Sequence, residues 1–87
     1  MSELKIDSNS IENGIFRDGN LVIGKVTGNN SGIISSYSNT IGSYVSGYIS
    51  SPDCSIFTSG YGSCAIGYIS RDNNVINASG NCAVAIG

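Results

Sequence analysis

Charge is scarce in this 87-residue chain: four Lys and Arg and six Asp and Glu make 11% of the residues and leave a net charge of -2. No basic patch exists to displace counterions from a phosphate backbone, so a nucleic-acid partner is not expected. Histidine is absent altogether, which removes the usual base for a nucleophilic Cys or Ser and one common zinc ligand. The opening Met-Ser-Glu-Leu-Lys-Ile-Asp7 lacks the basic segment and apolar run of a secretory signal. No apolar run approaches the roughly 20 residues that span a bilayer, so a soluble chain with no membrane partner is expected. Apolar residues still make up 40% of the composition, too many for a disordered linker.

What the chain does have is a recurring theme. Asn20-Leu-Val-Ile-Gly24, Asn39-Thr-Ile-Gly42, Cys64-Ala-Ile-Gly67 and Asn81-Cys-Ala-Val-Ala-Ile-Gly87 each close an apolar pair with Gly, separated by segments rich in Ser, Asn, Tyr and Gly. A strand and tight turn stacked on copies of itself has this signature. The expected fold is therefore all-β, a parallel β-solenoid. Eighty-seven residues form one domain with a small core, so help from repetition or oligomerisation is expected. In such a stack the coils lie about 4.8 Å apart, apolar residues fill a narrow interior, and Gly or Asn takes the positive-φ corners.

Seven of the ten charged residues fall within residues 3–25, and that shift in composition divides the chain into an N-terminal module, 1–25, and a repeat region, 26–87. In the first, Asp18-Gly19 between apolar flanks suits a two-residue hairpin turn, and the segment reads as a capping hairpin or strand. Leu4 and Ile6 alternate with charge as a short edge strand does. Residues 26–52 carry no charge at all, a composition that favours association as strands.

Between residues 36 and 50, Ile41, Val45 and Ile49 share one parity while Tyr44 and Tyr48 share the other. The same apolar residues are four apart, as on a helix. Gly42 and Gly47 decide for strand, since each would cost a helix about 1 kcal/mol. Pro52 marks a loop. Beyond it, 56–58, 65–69, 74–76 and 83–86 are further short strands. Ile41, Val45, Ile49, Ile66, Val84 and Ile86 are expected in the core, and the spacing from Ile23-Gly24 to Ile41-Gly42 matches that from Gly62-Ser-Cys-Ala65 to Gly80-Asn-Cys-Ala83, although intervening steps differ and the repeat is irregular.

The chemistry on offer is thin. Gly60-Tyr-Gly-Ser-Cys-Ala65 matches a variant of the dinucleotide fingerprint, but that loop must open a helix and no helical period follows, so no cofactor is expected. Cys54, Cys64 and Cys82 have neither Cys-x-x-Cys spacing nor a zinc ligand set. They read as free, buried thiols acting as small apolar fillers. Asp18, Asp53 and Asp72 sit beside turn residues, and the carboxylates are too scattered for a paired acid site. No catalytic residue and no metal ligand is assigned, and the chain is not expected to be an enzyme.

Asn39-Thr-Ile-Gly-Ser-Tyr-Val-Ser-Gly-Tyr-Ile-Ser50 and Ser79-Gly-Asn-Cys-Ala-Val-Ala-Ile-Gly87 resemble the YadA-like head repeats of trimeric autotransporter adhesins, related forms of which occur in phage and large-virus fibres. The resemblance covers about residues 36–87 and implies a left-handed parallel β-roll, with three chains side by side in a fibre or surface head. It implies a homotrimer as the chain's main partner and a virion or cell-surface location. The export signal, coiled-coil stalk and membrane barrel of a complete adhesin are not in this sequence, which points to a fibre or an isolated head. Tyr44, Tyr48, Tyr61 and Tyr68 read first as covers for neighbouring coils or contacts between chains. Their second reading is an adhesin-type face for host glycan or protein, because the ring is apolar and its hydroxyl polar. A third arrangement is a head-to-tail filament. Gly87 follows the best repeat directly, so the last coil is expected to meet another chain unless the natural sequence continues.

Overall fold

A computed structural model describes residues 3–36 and 41–87. Among them there is no helix. Nine strands occur: β1 (Leu4–Asp7), β2 (Gly14–Arg17), β3 (Asn20–Val26), β4 (Gly32–Ser35), β5 (Tyr44–Ile49), β6 (Ser55–Thr58), β7 (Cys64–Ile69), β8 (Val75–Ala78) and β9 (Val84–Ile86). They alternate between a five-stranded sheet, ordered β2-β3-β5-β7-β9, and a four-stranded sheet, ordered β1-β4-β6-β8. From β3 onward every pairing is parallel, so the chain winds as a β-solenoid of about three turns.

The two N-terminal strands run the other way. β1 pairs antiparallel with β4, and β2 antiparallel with β3. The β2–β3 hairpin turns on Asp18-Gly19, at φ 52° and 74°, with Arg17 opposite Asn20. Positive φ at both central residues matches the twist of the flanking strands, which is why Asp-Gly serves there.

Register fixes the coil length. Val22, Val45, Ala65 and Ala85 stack in one column, and Ile33, Ile56 and Ile76 in the facing one; the first step is 23 residues and the later ones 20. The three additional residues lie between β4 and β5, where Asn39 and Thr40 of the second sequence theme fall outside the described residues. The matched spacing from Ile23-Gly24 to Ile41-Gly42 is not a coil step, because Gly24 stacks on Gly47 and then on Gly67.

The interior is one or two side chains thick. Ile6, Ile33 and Ile56 from the four-stranded sheet meet Val22, Val45, Ile49 and Ala65 from the other, all almost completely buried. Such narrowness requires a missing side chain in each turn. A Cβ on Gly24 or Gly47 would stand 2.6 Å from the Cδ1 of Ile33 or Ile56, and on Gly67 it would strike Ile76 in the same way. Each would also meet the carbonyl oxygen of the glycine in the next coil, at Gly47, Gly67 and Gly87 respectively. Glycine thus marks where an isoleucine from the opposite sheet fills the core.

That interlock sets the parity of the strands and corrects four of the six expected core residues. Val45 and Ile49 are fully buried. Ile66 lies between inward Ala65 and Gly67 on the strand and so faces outward, half-buried. Val84 and Ile86 flank inward Ala85 and are 67% and 75% exposed, and Ile41 lies in the bend before β5, 59% exposed.

Corners stack as regularly as strands. Asn30, Asp53 and Asn73 (φ 57–62°) form one left-handed column, and Gly19, Gly42, Gly62 and Cys82 (φ 60–75°) form the other. Corner residues donate their N–H to the preceding coil: Asp53 to the Asn29 carbonyl, Asn73 to Pro52, Gly62 to Ile41 and Cys82 to Tyr61. Asn30 Nδ2 also donates to Asp53 Oδ1 at 2.8 Å. The corners are therefore closed by a ladder of backbone hydrogen bonds, to which the Asn30–Asp53 pair adds a side-chain rung.

Candidate functional surface

Alternation along a strand gives each sheet an outer face made of columns. On the five-stranded sheet, Leu21, Tyr44, Cys64 and Val84 stand in one column, Ile23, Ser46, Ile66 and Ile86 in the next, and Lys25, Tyr48 and Tyr68 in the third. Phe16, opposite Leu21 across the hairpin, extends the first. Lys25 is the only charged side chain in the four parallel strands of this sheet.

The structure brings three of the four candidate tyrosines to this face. Tyr48 and Tyr68 are register partners, with ring centroids 5.3 Å apart and planes 6° from parallel. Both are exposed, whereas Tyr44 is half-buried. Tyr61 stands apart, exposed in the turn before β7, where its N–H donates to Asn81 Oδ1 of the next coil at 3.1 Å. The parallel ladder itself produces the tyrosine stack, since identical residues one coil apart are held at strand spacing and planar rings fill that spacing by stacking.

The thiols divide by position. All three are free. Cys54 is buried, Cys64 is half-buried at the centre of the outer face, and Cys82 is exposed. Cys82 is not a buried filler, because it takes the left-handed corner that Gly42 and Gly62 occupy in earlier coils; a Cβ at either glycine would meet nothing within 4 Å.

Buried polar groups are concentrated inside the first two coils. Asn20 Oδ1 accepts from the Ser43 N–H at 3.0 Å and from Ser43 Oγ at 2.9 Å, and Ser43 Oγ lies 2.8 Å from Ser35 Oγ. Ser63 Oγ donates to the Gly60 carbonyl at 2.6 Å. Thr58 Oγ1, buried among them, has no partner among the described residues. Sequence reasoning missed this column, whose only trace is Asn20 opening β3 and Ser43 and Ser63 just before β5 and β7.

Among the described residues no three of His, Cys, Asp and Glu gather as a cation site requires. Of the fingerprint-like residues 60–65, the first four form the turn into β7 and Cys64 and Ala65 begin that strand. At the N-terminal end, open clefts of about 400 Å³ are lined by Asn9, Ile11, Glu12 and Ile15, and by Glu3, Lys5, Ile15 and Arg17. Among the described residues no helix is long and apolar enough to cross a membrane. No protein-family model, curated protein or solved structure matches the chain.

Proposed function

We propose that the chain is a structural, non-enzymatic repeat segment that associates as a homotrimer in a fibre or surface head, of the kind the resemblance to YadA-like head repeats implies. The observation that carries this reading is the unbroken register of both sheets over three turns. Strands, corners and interior glycines all repeat, so the outward residues form ladders on the faces of a flat two-sheet block. That geometry suits a spacer or a displayed surface on a virion or cell. β1 and β2 act as the cap at one end: they reverse direction and carry Lys5, Asp7 and Arg17, which discourage further strand pairing. Light scattering tests the assembly, with a mass three times the 9.0 kDa of one chain expected. A monodisperse monomer across the micromolar range overturns it.

The stacked pair Tyr48 and Tyr68 favours a second reading, an adhesin-type module recognising glycan or protein through exposed phenol edges. Glycan-array binding that disappears in Tyr68→Ala while the fold survives would select this reading.

A further inference from the structure

We infer that the outer face of the five-stranded sheet is the surface on which a second copy of this chain packs. The inference rests on the self-associating reading above and specifies where association occurs. Parallel sheets are ordinarily covered on both faces. Here the inner face is covered by the four-stranded sheet, while the outer one presents Phe16 at 72% exposure together with Ile23, Ile66, Val84 and Ile86. Apolar residues recur along two adjacent columns, interrupted by Ser46 in the second, rather than being scattered singly, which distinguishes a contact surface from ordinary exposure.

Charge and size select the occupant. Lys25, at one margin, is the only charged residue in the parallel strands of this sheet, so the face offers nothing to an acidic or basic partner. An identical face is equally uncharged and apolar, so in a trimer the three outer faces meet around the three-fold axis, each sheet packing against the other two. The Cα framework measures 28 × 24 × 16 Å, so its broad face is of the order of the ~800 Å² per partner found in stable interfaces. The outer face of the four-stranded sheet is more polar, with Lys5, Asp7, Ser55 and Asn77 among its outward residues.

The test uses the full chain with Ile66→Lys and Val84→Lys on the proposed interface and Asn77→Lys on the opposite sheet, read by light scattering and circular dichroism. Both interface variants should run as monomers that retain the strand spectrum, and Asn77→Lys should remain assembled. If folded Ile66→Lys and Val84→Lys keep the wild-type subunit number, the interface is wrong although self-association stands. A monomeric wild type overturns both. Should both interface variants lose the strand spectrum, maleimide labelling of the wild type decides: Cys64, half-buried in the single chain, should label more slowly in the assembly than after dilution to monomer while Cys82 is unaffected, and a Cys64 rate that does not change with assembly overturns the interface.

Discussion

Cys54 stands one coil above Ser31 and its thiol performs the serine's task. Ser31 Oγ donates to the Ser51 carbonyl at 2.7 Å, and Cys54 Sγ donates to the Arg71 carbonyl, the equivalent atom one turn on, at 3.1 Å. Ser31 Oγ in turn accepts the Cys54 N–H at 3.0 Å. These contacts bind three successive coils at one corner. A thiol is the weaker donor, so Cys54→Ser is expected to leave thermal stability unchanged or slightly raised. Cys54→Val leaves the Arg71 carbonyl with the Asn74 Nδ2 donor at 3.2 Å, so the loss should stay below about 1 kcal/mol. Melting curves compared under reducing conditions check both; a less stable Cys54→Ser would show that packing, not hydrogen bonding, defines the site.

Thr58 offers the opposite experiment. Its Oγ1 is buried without a partner among the described residues, and an orphaned buried hydroxyl costs about 1–3 kcal/mol. Valine matches its shape without the polar atom. Thr58→Val should therefore raise stability by about 1 kcal/mol or more, visible as an increase of several degrees in Tm for a domain of this size. An unchanged or lower Tm would mean that water reaches the hydroxyl.

How much of this architecture could be read in advance follows from what repeats. The solenoid class, the Asp18-Gly19 hairpin and the loop at Pro52 were legible because turn chemistry is local and each carries its own residue signal. β4 was not, since Gly32-Ile-Ile-Ser35 has no strict alternation and its partners β1 and β6 are distant in sequence. Parity failed in β7 and β9 for a physical reason. Hydrophobicity marks Ile66 and Ile86 as interior residues, but the interior at that level is already filled by Ile76, and the inward positions must be Gly67 and Gly87. Only the facing sheet reveals that constraint. The tyrosine positions were visible as a pattern, whereas the Tyr48–Tyr68 stack required the 20-residue register.

The glycine interlock makes Gly47 and Gly42 behave differently. A Cβ at Gly47 would meet the Gly67 carbonyl and stand 2.6 Å from Ile56 Cδ1, neither of which can withdraw. Gly42, at φ 75°, has nothing within 4 Å of a built Cβ. Gly47→Ala should prevent cooperative folding. Gly42→Ala should cost only the left-handed backbone penalty of about 1–2 kcal/mol, as Cys82 tolerates in the next column position but one. Circular dichroism and urea titration separate the two, and a well-folded Gly47→Ala would contradict the interlock.

Ile49 and Ile66 distinguish the inner from the outer face. Ile49 is fully buried beside Val26 and Ile69 of the adjoining coils, so an Asp there has no counter-ion and would cost several kcal/mol, comparable with the whole stability of a small domain. Ile66 faces outward from β7, where a carboxylate keeps its water. Ile49→Asp should abolish the melting transition, whereas Ile66→Asp should retain the strand spectrum and alter association instead. Measuring both by circular dichroism at low protein concentration keeps folding separate from assembly. Loss of folded signal in Ile66→Asp, with Ile49→Asp still folded, would reverse the assignment of the faces and with it the side of the sheet available to a second chain.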